Sequence, residues 1–294
     1  VFHKIDRTLR CHHCGFTERV PRACPACGNV DIAPVGRGTE RLEEHLAELL
    51  AGVTATGPDG APRAVRIARM DADTTRGKGS LEAQLAQVHA GEVDVLVGTQ
   101  MITKGHDFRR ITLVAAINPD TALFSSDFRA PERLFALLMQ AAGRAGRDAR
   151  QAEASQMWVQ TWNPQHPLFG ALKRHDYPAF AASQLKEREQ AGMPPFAFQA
   201  LLRAEARTQA AAQAFLNAAR EAGEGLDPTG QVLLYSAVPM AVQRVANVER
   251  AQLLVESPSR PALQRFLTAW QDVLHALREP GMMRWAVDVD PLAV

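Results

Sequence analysis

Long apolar runs, a strong net charge and cysteines beyond the first tenth of the chain are all missing from this sequence. No stretch approaches the roughly 20 consecutive apolar residues that a membrane-spanning helix needs. The first residues also lack the charged-then-apolar layout of a secretory signal. The net charge is +1, so any nucleic-acid surface has to be a local patch. We therefore expect a cytoplasmic protein that has no membrane partner.

The positive charge that is present is concentrated near the start of the chain. From Val1 to Arg37 there are six lysines and arginines against three acids. This stretch is a local candidate for phosphate contact. The length of 294 residues is enough for two or three domains.

The four cysteines form two C-x-x-C pairs, each followed by glycine: Cys11, Cys14, Cys24 and Cys27. Such turns point two thiolates inward, and Gly15 or Gly28 permits the tight backbone that the turn needs. Disulfides are the alternative, but the expected cytoplasmic setting disfavours them. His12 and His13 could compete as ligands, although their place between the thiolates favours solvent or a phosphate. The spacing predicts a structural Zn²⁺ site closed by four sulfurs.

Apolar positions after residue 38 alternate between helical and strand periods. Leucines in Glu40–Leu50 recur at helical spacing, with Thr39 as the expected N-cap. Two β-branched runs, Asp94–Val97 and Thr112–Ile117, predict buried parallel strands. Further predicted elements are strands at Val65–Met70 and Met157–Trp162 and helices at Ser80–His89, Arg133–Ala142 and Tyr177–Ala191. The alternation predicts an α/β fold with an open parallel sheet, whose functional loops lie at the strand carboxyl ends.

The segment Gln140–Arg147 places two arginines three residues apart at the end of a predicted helix. On one helical face, Arg144 and Arg147 would form a fork that suits a polyphosphate. The alternative is a plain helix terminus, with two glycines as stop signals and arginines that complement the helix dipole. The segment alone leaves both interpretations open.

A second candidate is the loop Gly98–Phe108, which follows directly after the strand at 94–97. It holds small hydroxyls, a lysine, a glycine and an acid, which can meet a nucleic-acid phosphate on one side and a nucleotide ribose on the other. A polar connecting loop is the alternative in isolation. The combination with the arginine segment favours the functional interpretation.

The last third of the chain predicts a separate unit after Pro194 and Pro195. Its elements are strands at Ala200–Ala206, Val232–Val238, Gln252–Glu256 and Arg284–Asp290 and helices at Gln209–Glu221 and Pro261–Leu277. This β-α-β-β-α-β order is the ferredoxin-like split arrangement. The four tryptophans lie on strand or helix patterns, so we expect them in the core rather than as base-stacking platforms: Trp158, Trp162, Trp270 and Trp285.

Four motifs together resemble the second motor lobe of a superfamily 2 helicase: Gly36–Glu40, Gly98–Phe108, Asp127–Arg133 and Gln140–Arg147. The two cysteine knuckles just before that lobe make the chain similar to the PriA family of bacterial replication-restart helicases. The resemblance runs from the first cysteine knuckle to Asp288–Pro291, which is essentially the whole chain. It implies a zinc module over 1–34, a RecA-like lobe over 35–193 and a ferredoxin-like C-terminal domain over 194–294.

This resemblance implies an ATP-dependent 3′ to 5′ DNA helicase that recognises stalled forks and restarts replication by primosome assembly. Carried over by motif, Arg144 and Arg147 would reach the γ-phosphate of ATP, and Gln140 would face the same cleft. Asp107 would lie beside the ribose. The nucleotide-contacting positions implied in this way are Asp107, Gly105 and Gly143.

The resemblance also implies DNA and protein contacts. The residues that would couple the cleft to the tracking strand, chiefly through phosphates, are Thr99, Gln100, Thr103 and Lys104. In the C-terminal domain, Arg244 and Arg250 would face DNA. Arg260 and Gln264 would receive the acidic tail of single-stranded-DNA-binding protein; solvated surface positions are the alternative for all four. Further implied partners are forked and single-stranded DNA, primosome proteins and the replicative helicase, and we expect a monomer.

The chain departs from the family pattern in its nucleotide-binding elements. It contains no Gly-x-x-x-x-Gly-Lys-[Ser/Thr] and no Asp-Glu-x-His sequence, which hold ATP and Mg²⁺ in the first lobe. We therefore expect this chain alone neither to hydrolyse ATP nor to unwind DNA. The alternative is a non-catalytic, zinc-containing DNA- or partner-binding module that lacks the first motor lobe.

The cysteine pattern departs from the family as well. Family members carry four C-x-x-C pairs that bind two zinc ions in an interleaved manner, whereas this chain has two pairs. The four thiolates would then share a single ion or leave two half-sites. We favour the single ion, because it needs only a turn over Gly15–Ala23.

Overall fold

A computed structural model describes residues 2–3, 8–10, 16–21, 38–71, 74–75, 77, 79–99, 108, 110–125, 127–146 and 152–292. The chain divides into two compact units. One is Val35–Ala182, and the other combines Val1–Pro34 with Ser183–Val294. Among the described residues, no helix has both the length and the apolar composition to cross a bilayer.

The N-terminal stretch contributes a small antiparallel sheet of three strands. They are β1 (Phe2–His3), β2 (Thr8–Arg10) and β3 (Thr17–Arg19), in that order across the sheet. All four cysteines lie outside the described residues, so the zinc site predicted from their spacing stays a prediction.

The unit Val35–Ala182 alternates strands and helices, as the periodicity predicts. Its first half contains α1 (Thr39–Leu49), β4 (Thr54–Thr56), β5 (Pro62–Ala64), β6 (Ile67–Met70), α2 (Ser80–Ala90) and β7 (Val95–Gly98). Strands β6 and β7 pair in parallel, and β4 and β5 form an antiparallel hairpin that the sequence pattern did not predict. Gly91 ends α2 in the left-handed conformation, which glycine adopts without steric cost.

The second half of this unit contains β8 (Leu113–Ile117), α3 (Asp120–Leu123), α4 (Ala130–Ala142), a 3₁₀ turn (Ala152–Ala154), β9 (Gln156–Gln160), α5 (Pro167–Arg174) and the start of α6 (Tyr177–Gln190). Strands β8 and β9 are parallel. The core lies on one face of this pair, where Phe135 stacks on Phe180 with ring centroids 4.4 Å apart.

The expected single open sheet is not what the described residues form, since β6–β7 and β8–β9 are separate parallel pairs. Exposed and half-buried residues alternate along both β8 and β9. The half-buried face packs against the core of α4 and α5, and the opposite face leaves Leu113 and Ile117 exposed. An apolar run predicts burial on both faces, but within the described residues the helices cover only one.

The C-terminal unit is an antiparallel sheet with two helices. Its elements are β10 (Phe198–Ala206), α7 (Gln209–Glu224), β11 (Leu233–Leu234), β12 (Val238–Val245), β13 (Val248–Ser257), α8 (Arg260–Ala276) and β14 (Met282–Val289). The main strands lie in the order β14-β10-β13-β12, and the two-residue β11 also pairs with β13. This order is that of the predicted split arrangement.

Helices α7 and α8 begin where the sequence places capping residues. Thr208 and Ser259 accept hydrogen bonds from the backbone N–H groups of Ala211 and Ala262. Both helices pack on one face of the sheet, and the fully buried Trp270 donates its indole N–H to the Ala219 carbonyl at 2.8 Å. The core therefore fixes α7 and α8 against each other as well as against the strands.

One strand of this unit differs from the prediction. The expected strand Val232–Val238 is replaced by the short β11 and by β12, which begins at Val238 and forms a tight hairpin with β13. The hairpin turns at Ala246 and Asn247, whose φ angles are 48° and 65°. Two consecutive positive φ values mark the turn type that suits a two-residue hairpin, but alanine gives no sequence signal for it.

Candidate functional site

The arginine segment follows α4, whose sequence explains its bounds. Proline lies in its first turn, and its apolar residues, including Leu134 and Leu138, are buried in the core. The helix ends at Ala142, before Arg144, and Gly146 adopts a left-handed φ of 72°. Arg144 therefore does not lie on α4, contrary to the prediction that it shares a helical face with Arg147, because the helix stops before it. Arg147 itself lies outside the described residues.

This segment is held beside the start of β8. The backbone N–H of Gly146 donates to the Ile111 carbonyl at 3.0 Å, and the N–H of Arg144 donates to Ala141. Gln140 and Gly143 are exposed, and Arg144 is half-buried. The segment thus lies near the amino end of β8, by a residue two positions before it, whereas functional loops were expected at strand carboxyl ends.

The motif before α4 acts as a brace for the helix start. One carboxylate oxygen of Asp127 pairs with Arg133 at 2.7 Å, and the other accepts the Arg129 N–H at 2.9 Å. The Arg129 guanidinium also lies over the Phe128 ring, 4.4 Å from its centroid. These contacts fix the N-terminal end of α4, and the arginine segment follows the C-terminal end of the same helix.

The loop after β7 is described only at its two ends. Thr99 is exposed, directly after β7, while Gln100, Thr103, Lys104, Gly105 and Asp107 lie outside the described residues. At the far end, Phe108 is buried and stacks on His89, with ring centroids 5.8 Å apart. The Arg110 guanidinium lies against Gly91, where a Cβ atom would collide with it. The far end of the loop is thereby anchored to the C-terminal end of α2.

Asp71, which the sequence analysis did not single out as functional, follows β6 directly and connects it to α1 and to the next turn by hydrogen bonds. Asp71 is buried, accepts the Thr39 hydroxyl at 2.5 Å and accepts the Thr74 N–H at 3.0 Å. The expectation that Thr39 caps α1 is therefore wrong: Thr39 is the first helical residue, and Gly38 occupies the cap position. The D-x-x-T spacing, which favours a local carboxylate turn, is the signal that could have identified Asp71.

Asp120 joins the carboxyl ends of β8 and β9. Its carboxylate accepts hydrogen bonds from the Asn163 amide at 2.7 Å, the Thr161 hydroxyl at 2.8 Å and the Trp162 N–H at 3.2 Å. The hydrogen bond from Asn163 is the largest influence on the pKa of Asp120, which is lowered from its ordinary value. These bonds stabilise the charged carboxylate at neutral pH.

Two of the four tryptophans expected in the core are exposed. Trp270 is fully buried and Trp285 is partly buried, but Trp158 is 60% exposed and Trp162 is 81% exposed. Trp158 lies on the uncovered face of β8–β9, and Trp162 follows the end of β9. The core prediction fails for both, because a strand pattern says that one face is buried without saying which.

In the C-terminal unit, Arg244 and Arg250 differ in their surroundings. Arg250 is half-buried opposite Glu205, with 3.7 Å between its Nε and the carboxylate, while Arg284 forms two shorter bonds to Glu205 at 2.6 and 3.1 Å. Arg244 is exposed at the β12–β13 turn, where it donates to the Asn247 side chain at 2.9 Å. The more accessible of the two predicted DNA-facing residues is therefore Arg244.

The two predicted partner-binding residues lie in the first turns of α8. Arg260 pairs with Asp290 at 3.1 Å and covers the Phe198 ring at 4.7 Å from its centroid. Gln264 follows at four residues' distance and is exposed. Both side chains are accessible from solvent, so the contact predicted for them remains a prediction.

Metal ligands are not assembled elsewhere in the described part of the chain. No group of three or more His, Cys, Asp or Glu residues there is arranged to hold an ion. The cysteine pairs, which supply the donor type that zinc prefers, therefore carry the zinc prediction by their sequence alone.

Comparison with known proteins matches two separate stretches of the chain, one within each compact unit. Residues 40–149 match the family model of the helicase conserved C-terminal domain, and residues 189–292 match the primosomal protein N C-terminal domain. The first match contains Thr99, Gln140 and Arg144, and the second contains Arg244 and Arg260.

Curated relatives match almost the whole chain. Replication restart protein PriA of Haemophilus influenzae is 40% identical over 99% of this chain and 37% of its own length. The PriA proteins of Synechocystis and Treponema pallidum are each 37% identical, over 97% and 100% of this chain and 32% and 42% of their own lengths. The chain thus spans between about a third and two fifths of the relatives that it matches.

Proposed function

Because the chain belongs to the PriA family of replication restart proteins, we propose that it forms the rear part of an ATP-dependent DNA helicase. The proposed motor moves 3′ to 5′ on DNA, recognises stalled forks and restarts replication by primosome assembly. The observation that carries this proposal is the arginine segment, which lies within the residues that match a helicase domain and is anchored beside β8. ATP and Mg²⁺ are held mainly by a first lobe, because this chain has no sequence for holding them.

Arg144 and Arg147 act on ATP bound by that first lobe. Charge accumulates on the transferred phosphoryl group during hydrolysis, and a guanidinium placed against it lowers the barrier. Gln140 and Gly143 are exposed around Arg144, so the first lobe can approach the segment from solvent. Gly105 and Asp107 complete the nucleotide contacts from the loop after β7, with Asp107 beside the ribose.

The same loop contacts the DNA strand. Thr99, Gln100, Thr103 and Lys104 bind chiefly through phosphates, so the contribution of this loop depends weakly on sequence and strongly on salt. The anchoring of Phe108 on His89 and of Arg110 on Gly91 gives the loop a fixed end. A shift of the two lobes during ATP turnover then moves the strand, as a population shift driven by the nucleotide.

The C-terminal unit supplies further contacts. Arg244 and Arg250 face forked DNA, and Arg260 with Gln264 receives the acidic tail of single-stranded-DNA-binding protein. The exposure of Arg244 at a hairpin turn and of Gln264 on α8 supports both assignments. Primosome proteins and the replicative helicase are the other partners of the proposed assembly.

Zinc completes the N-terminal stretch in this proposal. Cys11, Cys14, Cys24 and Cys27 hold one Zn²⁺ as thiolates, a donor set that closes the ion's tetrahedron. The ion's contribution is structural, because four sulfur ligands leave no position for a reacting group.

The experiment compares arginine variants in a motor assembled from this chain and a separately made first lobe. Arg144→Ala should reduce the kcat of DNA-stimulated ATP hydrolysis by about 10³-fold or more, the range for an arginine that stabilises the transferring phosphoryl group. Arg66→Ala, at an exposed arginine of the same unit, is the matched control and should leave kcat unchanged. Equal kcat values for the two variants would exclude the proposed role of Arg144.

A further inference from the structure

Two aromatic rings project into solvent at the carboxyl end of the β8–β9 pair. Trp162 is 81% exposed and Phe124 is 62% exposed. Single exposed apolar side chains are common on protein surfaces, so the informative feature is the shared position of these two rings rather than their exposure alone. Neither ring contributes to the core of its unit, so folding stability does not account for them.

Both rings are positioned through one residue, Asp120. Its carboxylate accepts the backbone N–H of Trp162 at 3.2 Å, and its carbonyl accepts the backbone N–H of Phe124 at 2.9 Å. The Asn163 and Thr161 side chains bind the same carboxylate and fix the chain on either side of Trp162. The backbone beneath the two rings is therefore held in place while the rings remain open.

The chain around Trp162 is polar and free of acids. Thr161, Asn163 and Gln165 flank Trp162, and Ser125 follows Phe124. Residues 154–175 contain no aspartate or glutamate but include a lysine, an arginine and two histidines. The acids near Phe124 in the sequence, Asp120 and Asp127, already have partners: Asp120 accepts three hydrogen bonds from residues 161–163, and Asp127 pairs with Arg133.

Two basic side chains, Lys173 and Arg174, lie about two helical turns beyond His166, a residue that contacts one of the rings. His166 meets Phe124 edge to face, with ring centroids 6.3 Å apart, and its Nδ1 accepts the Leu168 N–H at the start of α5. Lys173 and Arg174 lie exposed in the last turn of that helix. At 1.5 Å rise per residue, they lie about 10 to 12 Å along the helix from His166.

We propose that Trp162 and Phe124 form a stacking platform for the bases of single-stranded DNA, with Lys173 and Arg174 contacting its phosphates. Isolated aromatic rings in a polar setting, where the nearby carboxylates are already paired, suit the flat faces of unpaired bases and the charge of their backbone. A protein partner would instead favour a contiguous apolar patch of a few hundred Å². The proposal rests on the proposed function, to which it adds a second contact with the tracking strand.

The test measures binding of a fluorescently labelled oligothymidylate to the purified chain by anisotropy. Trp162→Ala should weaken binding about 5- to 100-fold, the range for loss of one stacked base. Phe124→Ala should weaken it in the same direction, and Trp162→Phe should retain most of the affinity because it keeps a flat ring. Trp158→Ala, at the other exposed tryptophan of this unit, is the matched control and should bind as the unchanged chain does.

Direct stacking also gives a spectroscopic signature. Oligothymidylate should quench the tryptophan fluorescence of the unchanged chain more strongly than that of Trp162→Phe. Thermal unfolding should be the same for all these variants, since both rings are exposed, which separates lost binding from lost folding.

Unchanged oligothymidylate affinity in Trp162→Ala overturns the proposal and leaves a protein as the occupant of this surface. Equal losses in Trp162→Ala and Trp158→Ala overturn it as well, because the effect would then not be local. Absence of any binding by the unchanged chain has the same consequence. The ATPase comparison of Arg144→Ala with Arg66→Ala does not involve these rings, so it decides on the proposed function separately.

Discussion

The pKa of Glu205 is lowered by its neighbours on the two adjacent strands. Glu205 lies between Arg250 on β13 and Arg284 on β14, directly opposite both in the strand register. The hydrogen bond from Arg284 is the largest influence on its pKa, which is lowered from the ordinary value for glutamate, and Arg250 acts in the same direction. Partial burial of Glu205 opposes the shift without cancelling it.

The lowered pKa gives Glu205→Gln a defined dependence on pH. A carboxylate with a lowered pKa in the folded state stabilises the fold above the unfolded pKa, about 4.3, and loses that contribution as the pH falls through the folded pKa. At pH 7 the variant should be less stable by about 0.5–1 kcal/mol, because Arg284 is largely exposed and solvent screens the pair. Below about pH 4 the difference should fade.

Urea unfolding of the chain at several pH values measures this difference. Glu221→Gln, at an exposed carboxylate of α7, is the matched control and should show no such pH-dependent loss. A stability difference for Glu205→Gln that grows as the pH falls would contradict the assigned direction of the pKa shift.

The observed helix starts agree closely with the predicted ones where a capping residue marks the start of the helix. The predicted helix at Gln209–Glu221 begins at Gln209 because Thr208 caps it, and the predicted helix at Pro261–Leu277 begins one residue early, after the Ser259 cap. Such signals are local, so the sequence carries them. Burial is not local: Trp158 and Trp270 both fit apolar patterns, yet only Trp270 has helices packed around it.

The packing of α7 against α8 makes a prediction for glycine in a helix. A Cβ atom on Gly223 would lie 2.9 Å from the Trp270 Nε1 and 3.3 Å from the Phe266 ring. Alanine normally favours a helix by about 1 kcal/mol over glycine, but this overlap forces core side chains to move. We expect Gly223→Ala to destabilise the C-terminal unit by about 1–2 kcal/mol.

Gly225, two residues later at the end of α7, is the matched control. No atom lies within 4 Å of its added Cβ, and its φ is −85°, so Gly225→Ala should be neutral or slightly stabilising. Chemical unfolding of both variants measures the two effects. A Gly223→Ala chain at least as stable as the unchanged one would show that the α7–α8 contact is looser than described.

For the molecule as a whole, the sequence was enough to identify the family and to locate the arginine segment, because both are marked by short motifs at fixed spacing. The geometry of the segment does not follow in the same way. The predicted helix end at Ala142 is confirmed, but the rule that residues i and i+3 share a helical face was applied to Arg144 beyond that end, where the chain turns through the left-handed Gly146. The exposed Trp162 was missed for a related reason, since exposure is a property of the assembled unit.

The cysteine pairs predict how much zinc the chain binds. Purified from cells, the chain should contain about one zinc ion per molecule, held by four thiolates. Cys11→Ser should remove it or weaken it strongly, since a structural site needs all four ligands. Metal analysis of the two chains measures this, and two zinc ions per chain or none would exclude the single four-thiolate site.

We propose that this chain supplies the arginine half of a motor whose ATP is held elsewhere. The most direct measurement is the rate of ATP hydrolysis, with and without single-stranded DNA, by this chain, by a separately made first lobe and by their mixture. We expect negligible hydrolysis by this chain alone and DNA-stimulated hydrolysis by the mixture, well above the sum of its parts. Hydrolysis in the mixture that does not exceed that sum, with both parts folded, would show that this chain does not supply arginines to the ATP of the first lobe.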